Sequence, residues 1–552
     1  MPARTSLPSS RSTRWSCTGC WWPWRGACGP PPNSTPRHVA AVQRPVSGDR
    51  PPDRPFPPGE YPVVVIGSGP GALQFSHALD QLGIGRATIS ADPSPGGMFR
   101  RLPLFQRLLS WTKPYALGDP ASRVGEWYDW NSLLSDEVSL RAVMPALMDG
   151  TSSFPTRANM EENLATFVSR SGLQVRYDCA WESTRKADDG RFVLTTSDGD
   201  YTAQVVVFAV GMAEPWKPKT PGIELVPHYV EAGRVEEYAG KRVFVIGKQN
   251  SAFEVATALL PWAKQIILAS PRPATLSVVE HSLAGVRARY VQPYEDAIMH
   301  NGVFMLDVKI DRIEALGAGF RVRMSRTEDA REYTYEADAA IATTGFAVPL
   351  RDLPALGVAT FAQGKQPALT PWWESVSVPG IFFAGTITQA AAGLRKHGIP
   401  ANSGALHGYR YNALVLARHL ARTRFGMDLP RPVLAPDEVV AFLLEAATLA
   451  PELWNQRSYL AQVVSVSGEE GWRDEGIWPL ADFVDSGGPD AVAITLEPDP
   501  AARLYPAVYV RKGGVVEEHL LDPDDLNEYR GSEHRSQLTS ILAPLLPAGR
   551  ER

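Results

Sequence analysis

The sequence predicts an α/β fold built from two strand–turn–helix–strand units, the second inserted in the first, with a small α+β appendage behind them. Three observations carry the prediction. Tyr61 to Phe99 reads as an apolar strand, a glycine turn, an amphipathic helix and a second short strand. Arg242 to Ala269 repeats that order later in the chain. Each unit is followed by a hairpin signal running into an apolar strand that ends on a glycine, Val205 to Gly211 and Ala339 to Gly345.

The glycines of the first unit have separate tasks. Gly67 allows the tight turn out of Val63 to Ile66, Gly69 lets backbone approach a pyrophosphate, and Ala72 is small enough for helix and strand to pack closely. The helix that follows, with Leu73, Phe75, Ala78, Leu79 and Leu82 on its apolar side, starts with unpaired amides and a partial positive charge that favour an anion. With Gly96-Gly97 beyond the second strand, this is the pattern of a Rossmann-like dinucleotide unit.

At 552 residues the chain is too long for one core and suggests roughly two to four domains. A net charge of -5 argues against a general binder of nucleic acid or anionic membrane, and no apolar run is long enough to span a bilayer. Residues 1–58 are rich in Pro, Ser and Arg, lack helical or strand periodicity, and are expected to be disordered. That start is read as a transit peptide or a mis-set translation start. Cys17 and Cys20 have redox or metal spacing without a second ligand pair, so no metal site is expected. Only Cys179 lies beyond the N-terminal segment, which fits a reducing, cytoplasmic setting.

Arg100 to Asp149 is polar and aromatic, either a surface connection with anchoring aromatics or a functional loop beside a bound cofactor. A helix ending at Gly172 follows, then strand-like Leu173 to Tyr177 and a hairpin from Arg191 to Thr196 and Tyr201 to Gln204. In the second unit Gln249 replaces the second glycine, while Asn250 and Ser251 put polar groups at the helix start, where phosphate would lie. Arg272, just past that unit's second strand, suits a ribose 2′-phosphate, favouring NADP over NAD. Phe320 to Met324 and Tyr333 to Glu336 form the second hairpin. Near Gly380 to Leu420 a short strand ends at Ala384-Gly385, and Asn402 or Ser403 is the expected cap of a helix; if the two-dinucleotide chain is a flavoprotein, that N-terminus would face the flavin ring. Past Phe425, Ala435 to Leu449 reads as a helix, and Ala491 to Leu496 and Ala507 to Arg511 as strands, in an appendage suited to packing, substrate cover or a homodimer contact.

The layout GSGPGA, FAVG, GKQNSA, ATTGF and FFAGT resembles the flavin-containing monooxygenase superfamily. LLSWTKPY, YDWNSLLS, FPTRANMEENL, GKQNSAFE, EHSLAGVRA and HGYRY together resemble the FAD-dependent oxidoreductase domain-containing protein 2 family, over roughly Tyr61 to Leu545. The resemblance implies FAD contacts at Gly67, Gly69, Pro70, Ala72, Ser90, Asp92, Gly97, Lys113, Asn131, Gly211, Gly345, Gly385 and Thr386. It implies NADPH (or NADH) contacts at Gly247, Lys248, Gln249, Asn250, Ser251 and Arg272. Ser90 stands where the superfamily usually has an acid, with Asp92 two residues on, and Gly385-Thr386 replaces the usual Gly-Asp. The superfamily fingerprint is at best vestigial around His228.

The expected domains are 59–223 with 336–429 for FAD, 224–335 for NAD(P)H, and 430–545 for the appendage. No cysteine pair lies beyond Gly96, which disfavours a dithiol relay. The activity the resemblance implies is an FAD- and NADPH-dependent monooxygenase acting through a flavin C4a-hydroperoxide, with oxygen and a small nitrogen- or sulfur-containing substrate as partners. The alternatives are an NAD(P)H oxidase or flavin reductase, and a flavoprotein interaction module. No catalytic side chain is assigned beyond the candidates Lys113, Asn131 and His407.

Overall fold

The computed structural model describes residues 54–545, apart from 103, 105, 117, 120, 121, 275–290, 351, 363, 468–470 and 502. The readings of Cys17, Cys20 and the EHSLAGVRA stretch lie outside the described residues, as does nearly all of the expected disordered segment.

Val63 to Ile66 are buried, and the strand they belong to, β1 (Glu60–Ile66), is an inner strand of the first sheet. It pairs in parallel with β2 (Arg86–Ile89) on one side and, after β3 (Trp181–Lys186) and β4 (Phe192–Thr196), with β5 (Gly199–Phe208) on the other. Side chains buried on both faces explain the unbroken valine run in β1. The helix α1 (Pro70–Gln81) crosses between β1 and β2, and α2 (Arg157–Ser171) ends at Gly172 as read from sequence. The expected strand at Leu173 to Tyr177 is reduced to one bridge, Ile89 with Arg176, because the chain only grazes the sheet edge there.

The second sheet repeats the design. Its strand β6 (Arg242–Ile246) is followed by α3 (Asn250–Leu259), β7 (Gln265–Ser270), α4 (Val291–Met299), β8 (Val303–Leu316), the hairpin β9 (Gly319–Arg326) and β10 (Glu332–Ala337), and β11 (Ala339–Ala342). The order is β10-β9-β8-β7-β6-β11, with β6 parallel to both β7 and β11. The chain enters this unit through Glu214–Pro215 and leaves through Phe346–Ala347, and these two stretches pair antiparallel. It then returns to the first sheet as β12 (Ile381–Phe383), parallel to β5. The second unit is thus inserted in the first.

Helix α5 (Leu406–Thr423) packs on α1, through a core that includes Phe75, Leu79, Tyr411, Leu416 and Leu420. Its N-cap is Ala405, which corrects the expected cap at Asn402 or Ser403. Those two side chains are used elsewhere. The Asn402 amide donates to Asn455 O at 2.9 Å, and Ser403 Oγ accepts from Asn412 and Gln456 at 3.2 and 3.1 Å.

The C-terminal portion is an antiparallel six-stranded sheet. Its strands are β13 (Val433–Leu434), β14 (Leu460–Ser467), β15 (Gly471–Pro479), β16 (Ala491–Pro498), β17 (Leu504–Lys512) and β18 (Val515–Leu520). Helices α6 (Val439–Leu449) and α7 (Ser532–Leu542) supply Leu443, Leu444, Leu538 and Leu542 to a core shared with Val492, Ile494 and Val508. Among the described residues, no helix is long and apolar enough to cross a membrane.

Candidate functional site

A cavity of about 590 Å³ opens at the carboxyl ends of β1, β2 and β5, where ligands of such sheets sit. The turn from β1 into α1 forms its floor. Gly67 has φ +128°, donates its N–H to Ile89 O at 2.8 Å, and leaves only 2.5 Å between a would-be Cβ and Ala209 O. No L-side chain fits that position. Pro70 is the first residue of α1 and Gly69 caps it without a side-chain hydrogen bond, so the first-turn amides remain available to an anion. A Cβ on Gly97 would lie 3.4 Å from Gly69 Cα, and one on Gly71 only 2.4 Å from Gly385 Cα. Three backbone segments therefore close around one space with no side chains between them, and a flavin dinucleotide's pyrophosphate fits that cradle.

Polar groups sit at one end of it. Ser90 Oγ donates to Ser68 Oγ at 2.9 Å, Ser68 Oγ donates to Asp92 Oδ2 at 3.2 Å, and Arg101 holds Asp92 Oδ1 at 2.6 Å. Elsewhere the walls include Trp181, Gly211, Met212, Phe346, Asp352, Thr386 and Tyr409. Burial raises the pKa of the Tyr409 phenol, and a hydrogen bond with Thr386 opposes that rise. Burial also raises the Asp352 carboxyl, although its Oδ2 accepts the Thr184 amide at 2.8 Å.

Of the FAD contacts expected from sequence, Gly67, Gly69, Pro70, Ser90, Asp92, Gly97, Gly211, Gly385 and Thr386 line this cavity. Ala72 is fully buried beneath it. Gly345 stands one residue from the wall residue Phe346, and its carbonyl accepts from His228 Nε2 at 3.0 Å.

Lys113, Asn131 and His407 are not among the residues that line this cavity. The Asn131 amide is spent on Ser110 O, Trp111 O and Thr112 Oγ1 at 3.2, 3.1 and 3.0 Å. The Lys113 ammonium lies over the rings of Trp111 and Tyr128. His407 is buried and stacked on Trp130 at 4.4 Å, with its pKa driven to about 3 by burial and by Arg410 and Arg457. Lys113 and Asn131 thus lie in an aromatic-anchored part of the 100–149 stretch, while Arg101 of the same stretch borders the cavity. Sequence reasoning missed Trp181, Arg101, Asp352 and Phe346 as wall residues. Tyr409 entered it only within the HGYRY motif.

The second unit has the same steric signature. Gly247 has φ +137°, donates to Ala269 O at 2.8 Å, and a Cβ there would lie 2.4 Å from Thr343 Oγ1. Gln249 caps α3 without a side-chain bond and instead donates its amide to Pro273 O at 3.0 Å. Asn250 and Ser251 occupy the first turn of α3, and Arg272 is exposed two residues past β7. Lys248 is buried and ion-pairs with Asp307, and burial pushes its ammonium down to about 8. An uncapped helix start, a glycine turn and a nearby arginine fit a nicotinamide dinucleotide.

Residues 64–385 match the family of pyridine nucleotide-disulphide oxidoreductases. The chain belongs to that family. Its members are flavin-dependent oxidoreductases, and the expected cofactors, FAD with NADP(H), are those of the class. The chain is similar to the mouse (Mus musculus) FAD-dependent oxidoreductase domain-containing protein 2, 26% identical over 72% of this chain and 64% of the relative. It therefore spans just under two thirds of that relative's length. It is also similar to a ferredoxin–NADP reductase of Gluconobacter oxydans, 27% identical over 42% of this chain and 67% of the relative. Among solved structures it is similar to the bacillithiol disulfide reductase of Bacillus cereus, with 20% identity, a TM-score of 0.49, and coverage of 66% of this chain and 99% of that one. Unlike the family's description, the cavity wall carries no cysteine among the described residues. Cys179 is buried behind the first sheet, where burial raises its thiol pKa.

Proposed function

We propose that the chain is an NADPH-using flavoprotein monooxygenase acting on a small nitrogen- or sulfur-containing substrate. Residues 59–223 and 336–429 would hold FAD, and residues 224–335 would hold NADPH. The observation that carries this reading is a cavity wall without cysteine: among the described residues no cysteine pair stands there to take electrons, which leaves oxygen or a diffusible molecule as the acceptor. Bound FAD supplies hydride acceptance and oxygen activation. The protein's part is to bind, orient and exclude water, and the backbone cradle of Gly67, Gly69, Gly97 and Gly385 with Tyr409 and Thr386 serves that part. The overall reaction consumes NADPH, a proton, dioxygen and substrate, and yields NADP⁺, water and an oxygenated product.

A second reading, a reductase that passes electrons outward without oxygenating anything, is favoured by the similarity to a ferredoxin–NADP reductase. The deciding experiment reduces the purified holoprotein anaerobically with NADPH or NADH and then adds isotope-labelled dioxygen with amines or thioethers. Label in the product supports the monooxygenase. Stoichiometric peroxide with unlabelled substrate supports the reductase or oxidase, and failure of both nucleotides to bleach the flavin overturns both readings.

A further inference from the structure

Lys248 and Asp307 form a pair whose burial is lopsided. The lysine side chain is 1% exposed and the aspartate side chain 52%. Lys248 follows β6 and Asp307 lies in β8, with β7 between them. The lysine stem therefore reaches across the carboxyl end of β7, where Ala269 pairs with Ile246 and Ser270 pairs with Asp307. Two residues past β7 is the exposed Arg272. In a unit of this topology the carboxyl end of the second strand receives the adenosine ribose.

Both charge signs thus meet where the ribose 2′-substituent would lie. A carboxylate there accepts a hydrogen bond from a 2′-hydroxyl and repels a 2′-phosphate, whereas cations do the reverse.

We propose that Lys248 and Asp307 together set the choice between a 2′-phosphate and a 2′-hydroxyl in the second dinucleotide site. Lys248 is the second cation, beside Arg272, for the 2′-phosphate, and Asp307 is the counter-charge from which the phosphate must draw it. This rests on reading the second unit as the NADP(H) site.

The test is calorimetric titration of the whole protein with 2′,5′-ADP and with 5′-AMP, which differ only in the 2′-phosphate and need no turnover. Lys248→Met is expected to weaken 2′,5′-ADP by about tenfold or more, the worth of one charge-assisted contact, while 5′-AMP changes by less than about twofold. Asp307→Asn, which keeps an amide oxygen as acceptor for the enclosed ammonium, is expected to tighten 2′,5′-ADP by about threefold or more and to weaken 5′-AMP. A purely structural pair would lower thermal stability and shift both ligands alike. If the wild type prefers 2′,5′-ADP and both variants keep its ratio to 5′-AMP, the proposal is overturned and the NADP(H) reading stands. If the wild type shows no preference for 2′,5′-ADP, the NADP(H) reading fails and the proposal with it.

Discussion

Replacing Lys396 by methionine tests how the C-terminal sheet is tied to the cavity. Residues 391–405 join the wall segment Gly385-Thr386 to α5, which carries Tyr409. From the middle of that connection Lys396 inserts into the third sheet, donating to Glu497 Oε2 at 2.6 Å, to Tyr509 OH at 3.1 Å, and to Glu518. Glu497 is fully buried and also accepts from Tyr509 OH at 2.7 Å and Tyr505 OH at 3.3 Å. Removing one member of a buried pair costs about 3–5 kcal/mol because the other charge is left enclosed. Lys396 keeps 25% side-chain exposure and both tyrosines still donate to Glu497, which places Lys396→Met near 3 kcal/mol, the low end of that range. Lys396→Arg preserves the charge and should lose about 1 kcal/mol or less. Urea midpoints of the FAD-loaded protein measure both. A loss for Lys396→Met of under about 1 kcal/mol, the worth of an exposed pair, would refute the reasoning. Burial alone would lower the Lys396 pKa, but the hydrogen bonds to Glu497 and Glu518 outweigh it and raise it. Its contribution is therefore complete below the unfolded lysine value of about 10.4 and is lost as pH rises through the higher folded value, so the wild type and Lys396→Met should converge only in strong alkali.

Gly71→Ala places a Cβ 2.4 Å from Gly385 Cα, backbone against backbone with no rotamer to relieve it, and retained FAD, read as bound flavin absorbance per chain, should fall by roughly tenfold. Tyr409→Phe removes the hydroxyl that meets Thr386 while keeping the ring; FAD affinity by fluorescence recovery should drop by a few-fold without loss of thermal stability beyond about 1 kcal/mol. Burial holds His407 near 3 and His419 near 4, so on acidification the unfolded chain takes up protons first and stability declines from about pH 6.5 downward; His407→Gln should flatten that decline in urea midpoints collected between pH 4.5 and 7.

What the sequence made legible was local sterics. The turns at Gly67 and Gly247 follow from a strand, a glycine and a helix in succession, and both take backbone angles closed to other residues. Strand endings at Gly211 and Gly385 likewise reach the cavity. Asn131 and Lys113 came from the family resemblance and not from any local pattern, since nothing in a fifty-residue connection says how it folds back; their side chains meet Ser110, Trp111 and Tyr128. Asp352 and Trp181 escaped notice because two distant segments carry them to the wall. The third sheet was read as two strands, since β15, GWRDEGIWP, mixes charges with glycine, and its half-buried pairing with β14 has no clean alternation to reveal it.

The return of β12 to β5 sets the order in which a ribosome can complete this protein. Val206 and Phe208 sit at the centre of the first sheet, yet one edge of their strand stays bare until Ile381 and Phe383 emerge to pair with it. By then the whole inserted unit has been synthesised, and its own strands, Arg242 to Ala342, are complete. At usual translation speeds the host strand waits roughly ten to thirty seconds with an apolar edge unpaired, the interval in which a nascent chain is most open to chaperone capture and to pairing with its neighbours on the same messenger.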